Sequence, residues 1–236
     1  MSFYVLSAIT FISAFLLFQI ELIIAKLLLP NYGGSYLVWG ACVVFFQGVL
    51  LAGYLFAHQL ISNKGIASYL KIHLFLLVLP FIFFPGRLLQ IPTYETTIPL
   101  VIDIFFKLLL TIGPVFFVLS TVSLVTQTWI ASSINSKENP YALYAVSNLG
   151  SFLGLLTYPF VFELYLTNTQ QLQIWRVMYF ILVGLNFLAF KFIAIKKQDI
   201  NKEEIVPIDW NKAFSWLALS AAGVVLFLSV TNIITY

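Results

Sequence analysis

From Phe3 to Leu29 the chain reads FYVLSAITFISAFLLFQIELIIAKLLL, 27 residues in which Glu21 and Lys26 are the only charges. A bilayer core of ~30 Å is crossed by about 20 apolar residues in a helix, so this stretch alone predicts a membrane span. Neither a basic n-region nor a small-residue cleavage site accompanies it, which reads as a retained helix. Six more apolar stretches follow: Leu37–Ile61, Tyr69–Phe84, Ile98–Ala131, Tyr141–Leu166, Leu172–Ile195 and Ala213–Thr235. The third is short and ends at Pro85-Gly86. The fourth is too long for one straight span, and Gly113-Pro114 inside it predicts a kink, because proline removes a backbone donor and clashes with the preceding turn. Turn chemistry separates the stretches at Pro30-Asn31-Tyr32-Gly33-Gly34, at Ser62-Asn63-Lys64-Gly65 and from Asn135 to Pro140. The expected fold is all-α, a polytopic transmembrane helix bundle of about seven helices. It forms a single domain over residues 1–236, with no soluble domain and a charged cytoplasmic loop at 196–212.

Composition leads to the same class. Of 236 residues, 61% are hydrophobic and 9% charged, and the mean hydropathy is +0.99. An ordinary soluble domain is ~45–50% apolar and ~25% charged, so a water-soluble enzyme, a disordered tail and a secreted disulfide scaffold are excluded. The 12 lysines and arginines are spread along the chain rather than clustered on one face, which speaks against a nucleic-acid partner. The single cysteine, Cys42, lies in an apolar run, reads as a small buried hydrophobe and allows no intrachain disulfide. Lys64, Lys71, Lys137, Lys191, Lys196, Lys197, Lys202 and Lys212 flank the spans on one side, against Lys26, Arg87 and Arg176 on the other. Cytoplasmic loops are enriched in such cations, so the N-terminus is expected in the cytoplasm.

Ionisable groups inside spans cost ~2.5–3.5 kcal/mol each on insertion scales, so each calls for a reason. Glu21, Lys26, Asp103, Lys107, Glu163 and Arg176 fall in the outer halves of their helices. Asp103 and Lys107 stand four apart with the acid first, the favourable order for an intrahelical pair. Gln19 shares a face with Lys26. Two readings stay open: an outward-facing cavity for a small charged or zwitterionic molecule, lined by Gln19, Glu21, Lys26, Glu163 and Arg176, or structural ion pairs with snorkelling side chains. Lys26 and Arg176 are the expected cationic partners of Glu21. The inner halves hold Gln47, His58, Gln59, His73, Gln127 and Asn148. Gln47, Gln127 and Asn148 are expected to hydrogen-bond between helices. Ser147, Gly150 and Gly154 mark a small-residue face for close helix packing. Two histidines do not supply a metal site, which wants three or four ligands at short spacing.

No G-x-S-x-G, P-loop, G-x-G-x-x-G or H-E-x-x-H occurs. Four segments together resemble one family. They are Phe18-Gln19-Ile20-Glu21 through Lys26 to Pro30 with Gly33-Gly34-Ser35 and Val38-Trp39; Phe45-Phe46-Gln47-Gly48 through Ala52-Gly53-Tyr54 to Ala57-His58; Pro114 to Ser120 with Gln127 and Trp129; and Pro140-Tyr141 with Leu143-Tyr144-Ala145-Val146-Ser147-Asn148-Leu149-Gly150-Ser151, closing at Tyr158-Pro159-Phe160. Over almost its whole length the chain looks like the membrane-embedded N-terminal region of bacterial spermidine-synthase-like integral membrane proteins. Relatives often carry proline where this chain has Leu22. In longer relatives a soluble domain follows that resembles aminopropyltransferases and methyltransferases. This sequence does not contain it, so the resemblance implies membrane topology, without spermidine synthesis, catalytic residues or a cofactor.

The resulting expectation is a non-catalytic, multi-pass module of the bacterial inner membrane, a scaffold or small-molecule binding unit. It would work within the lipid bilayer with a separate transferase-like or membrane partner chain, or as a homo-oligomer. A transporter or carrier subunit with Glu21, Lys26 and Glu163 along a path is the alternative, and a membrane enzyme using Glu21 as general acid or base is a third reading.

Overall fold

The computed structural model describes residues 2–83, 98–132, 140–192 and 209–235. All regular structure among them is helical. In chain order the helices are α1 (Ser2–Tyr32), α2 (Tyr36–Lys64), α3 (Ile66–Phe83), α4 (Leu100–Thr111), α5 (Gly113–Ser132), α6 (Pro140–Thr157), α7 (Asn168–Phe192) and α8 (Trp210–Thr235). A π-helical turn, Tyr158–Phe162, and the residues Glu163–Tyr165 carry α6 onward without a break. Five helices are long and apolar enough to cross a membrane: α1, α2, α5, α7 and α6 with its continuation. The expected turn at Asn135–Pro140, the end of the third stretch at Pro85-Gly86 and the loop at 196–212 as far as residue 208 lie outside the described residues.

Local chemistry sets the helix ends. Gly33, at φ +73°, takes a conformation that disfavours any side chain and returns its N–H to the Leu29 carbonyl at 2.9 Å. Ser35 then caps α2, its Oγ accepting from the Val38 N–H. Thr167 and Gln170 form a reciprocal capping box before α7: the Thr167 N–H donates to Gln170 Oε1 at 2.9 Å, and the Gln170 N–H to Thr167 Oγ1 at 3.4 Å. Within the fourth apolar stretch, α4 ends at Thr111 and α5 starts at Gly113, with Ile112 between them. In α6 the π-turn coincides with Pro159, which has no N–H to give and would crowd the carbonyl four residues back; the wider turn accommodates it. Gln171 Nε2, from α7, donates to the carbonyls of Phe162 and Leu166, both at 3.0 Å, and so satisfies the end of this helix.

The chain divides into two compact units, Met1–Gln198 and Asp199–Tyr236. In the first, α1 packs against α5, α6 and α7, and α5 packs against α2 and α3. Phe116, Trp129, Trp175 and Tyr179 are fully buried there. Polar groups stitch the helices, as they must where no water competes for them. Trp175 Nε1 donates to the Leu16 carbonyl at 2.9 Å, Tyr179 Oη to the Leu77 carbonyl at 3.0 Å, and Thr10 and Thr126 share a hydrogen bond of 2.8 Å between α1 and α5. The second unit is α8, whose first turn is capped by Asp209 Oδ1 through the N–H groups of Asn211 and Lys212.

Candidate functional site

The expected cluster of acids and bases resolves into separate pairs. Lys26 Nζ, on α1, meets Glu163 Oε1, beyond the π-turn of α6, at 2.7 Å; both side chains are partly exposed. Asp103 and Lys107 on α4 pair at 3.0 Å and are almost fully buried. The Tyr32 hydroxyl donates to Asp103 Oδ2, and the Lys107 ammonium lies 5.1 Å from the centre of the Tyr32 ring. Lys26 is thus taken by Glu163 and not by Glu21, which is half-buried and has no hydrogen-bond or ion-pair partner among the described residues. Five residues place Glu21 and Lys26 well apart around the helix, while Glu163 comes within bonding distance from α6. Arg176 is half-buried on α7. Gln19 is fully buried, and its Nε2 donates to the Gly154 carbonyl and to Thr157 Oγ1, both at 3.0 Å, pinning α1 to α6.

Gly150 and Gly154 lie on the same seam. A Cβ at Gly150 would stand 2.5 Å from the Phe11 carbonyl oxygen, and one at Gly154 would stand 2.9 Å from that of Phe15. Only glycine lets the two backbones approach this closely. Gln47 is exposed on α2.

Away from the charged pairs, residues of four helices line a cleft of about 570 Å³. Buried residues of α1 and α5 form its floor: Ser13, Leu17, Leu119 and Ser120. Tyr54 and His58 stand on α2 as one wall, and Tyr144, Ser147, Asn148 and Ser151 stand on α6 as the other. Ser123 and Gln127, one turn apart in the second half of α5, complete the polar lining. Its volume falls in the ~300–1,000 Å³ range of small-molecule sites.

The cleft contains none of Gln19, Glu21, Lys26, Glu163 and Arg176. It does contain Gln127, Ser147 and Asn148, which the sequence assigned to contacts between helices. Gln127 Nε2 donates to Ser123 Oγ on its own helix at 3.3 Å, and Asn148 is exposed, so neither ties two helices together. Sequence reasoning missed Ser13, Tyr54, Ser120, Ser123 and Tyr144 as lining residues. A signal for them exists. Tyr144, Ser147, Asn148 and Ser151 recur at steps of three and four, as do Ser120, Ser123 and Gln127, and Tyr54 with His58. Each set therefore occupies one helix face. Among the described residues, no group of three or more His, Cys, Asp or Glu could hold a metal ion.

Five helices of membrane-crossing length and apolarity, with a polar cleft among them, suit a multi-pass membrane protein. No known family matches the chain, and no characterised protein or solved structure is similar to it.

Proposed function

We propose that this chain is a multi-pass protein of the bacterial inner membrane, N-terminus in the cytoplasm, that binds a small polar molecule in the cleft between α1, α2, α5 and α6. One observation carries the reading: polar side chains from four helices of an otherwise apolar bundle converge on one cavity of about 570 Å³. Polar groups at membrane depth are costly unless they meet partners or a cavity, so their convergence favours a ligand site. Among the lining residues only His58 and the two tyrosines carry an ionisable group, which favours binding over acid–base catalysis. Lys64, beyond His58 in the last turn of α2, and Lys191, in the last turn of α7, support this orientation.

In this reading the chain is a binding or scaffold unit, akin to the membrane half of spermidine-synthase-like proteins, that serves a separate partner chain. The segments quoted for that resemblance supply Tyr54, His58, Ser120, Gln127, Tyr144, Asn148 and Ser151 to the cleft. A carrier path through Glu21, Lys26 and Glu163 is less well supported, since Lys26 and Glu163 are closed on each other.

The test is thermal unfolding of purified protein in mild detergent against a panel of small polyols, amino acids, amines and nucleosides, with Ser151→Trp as the filled-cleft control. A ligand at 100 times its Kd stabilises by ~2.7 kcal/mol, a readable rise in Tm. The expected result is a shift in the native protein and none in Ser151→Trp. Equal shifts in both, or no binding by any of these compounds or by a lipid that carries their polar groups, would refute the assignment.

A further inference from the structure

Three seams of the cleft are sealed and one is open. The floor is closed by the Thr10–Thr126 bond, and α6 is closed onto α1 at Gly150 and Gly154. Wall α2 meets α5 at Gly53, where a Cβ would fall 1.8 Å from Ser120 Oγ. Between the walls themselves, α2 and α6 barely meet. Leu51, one turn before Leu55, and Phe152, one turn after Asn148, flank this gap, and together with Leu55 and Leu149 they are each more than half exposed. Such an apolar border belongs against lipid chains rather than water.

The lining also has a hydrogen-bonding sense. Three of the five lining serines use their hydroxyl proton within their own helix. Ser13 donates to the Thr10 carbonyl at 3.0 Å, Ser120 to that of Phe117 at 2.7 Å, and Ser151 to that of Ser147 at 3.0 Å. Their lone pairs remain as acceptors, as does Gln127 Oε1, while Ser123, Ser147, Tyr54, Tyr144 and Asn148 Nδ2 make no donating bond among the described residues. The lining therefore offers both acceptors and donors, and a ligand must answer both. With no carboxylate among the lining residues, an ammonium would sit without a counter-charge, so hydroxyls, which both give and accept hydrogen bonds, fit better.

We propose that the cleft takes the hydroxyl-bearing headgroup of an uncharged lipid, which enters sideways from the bilayer between α2 and α6 and lays its chains along Phe18, Leu50 and Leu55. This deepens the reading of the cleft as a ligand site and rests on it.

The experiment uses the full chain in phosphatidylcholine vesicles with a trace of diacylglycerol bearing a photoreactive group on one chain. The expected result is crosslinking to peptides of α2 and α6, competed by unlabelled diacylglycerol but not by glycerol or phosphatidic acid. Filling the cleft with Ser151→Trp should abolish it. Asn148→Leu, which removes one exposed polar partner and leaves the helix seams alone, should weaken competition by about tenfold and serves if the tryptophan variant does not fold. Equal competition by glycerol would overturn the lipid route, equal competition by phosphatidic acid the uncharged headgroup, and undiminished labelling of both variants the location. If crosslinking fails while a soluble compound shifts the native Tm and not that of Ser151→Trp, only the lipid inference falls. If neither probe binds, the ligand site falls with it.

Discussion

Replacing Gly150 by alanine adds one methyl group at the place where α1 and α6 lie closest. The new Cβ would stand 2.5 Å from the Phe11 carbonyl oxygen and 3.3 Å from Ala14 Cβ. An unforced carbon–oxygen contact is about 3.3–3.6 Å, so the helices must part locally by about 0.9 Å. The obstructing oxygen is backbone and has no rotamer to change. Overpacking of this kind costs ~1–3 kcal/mol, and the rigid obstacle argues for the upper end. Against it, alanine gains ~0.8–1.0 kcal/mol over glycine in helix propensity. The net expectation is a loss of ~2 kcal/mol. Gly184→Ala on α7 is the matched reference, because nothing lies within 4 Å of its Cβ position. It should show the propensity gain alone, so the two variants should differ by ~2–3 kcal/mol. Reversible unfolding in mixed micelles, followed through tryptophan fluorescence, measures both. If Gly150→Ala proves as stable as Gly184→Ala, the close approach of α1 and α6 is wrong.

Three other outcomes follow from the charges. Lys107→Met leaves the Asp103 carboxylate buried without its ammonium and should cost ~3–5 kcal/mol in the same assay, much of it recovered in the double variant Asp103→Leu/Lys107→Met; equal losses in both would contradict the buried pair. A double-mutant cycle on Lys26 and Glu163 should give a coupling of only ~0.2–1 kcal/mol, since both side chains reach the surroundings, and Glu21→Gln should leave that coupling unchanged. A coupling that vanished in Glu21→Gln would place Glu21 in the pair. For orientation, Lys202→Cys in intact cells should resist a membrane-impermeant maleimide, the native Cys42 being buried and silent; labelling from outside would reverse the assigned topology.

The helices were legible because span length is a property of consecutive residues. Phe3–Leu29 and Tyr141–Leu166 need only counting, and five of the expected stretches coincide with helices long and apolar enough to cross a membrane. The fourth divides at Ile112, beside Gly113-Pro114, yet Ile112 keeps α-helical backbone angles and its N–H still bonds the Leu108 carbonyl at 3.0 Å. Partnerships between helices were another matter. The sequence weighed charge and so directed attention to Glu21 and Lys26, yet which acid meets Lys26 depends on how α6 is rotated against α1. That rotation is fixed by Gly150, Gly154 and Gln19 at a distance of more than a hundred residues along the chain. Likewise Ser147 and Asn148 carry no mark of which neighbour they face. The serine and tyrosine spacing did encode a face, but an uncharged polar face in a span is as compatible with packing as with a cavity until the opposite wall is known.

The π-turn at Tyr158–Phe162 has a consequence for what changes of length this protein tolerates. A wide turn of this kind absorbs about one residue more than an α-helical turn over the same rise, so α6 carries one residue of slack. Removing Pro159, the residue that needs the wide turn, should convert it to ordinary α-helix and leave Glu163 facing Lys26. Removing one between Pro140 and Thr157 has no such reserve. It would turn the helix by about 100° and carry the carboxylate out of reach of the ammonium. Insertions and deletions along this helix are therefore unequal, and the five residues around Pro159 are where its length can drift without disturbing the ion pair beyond them.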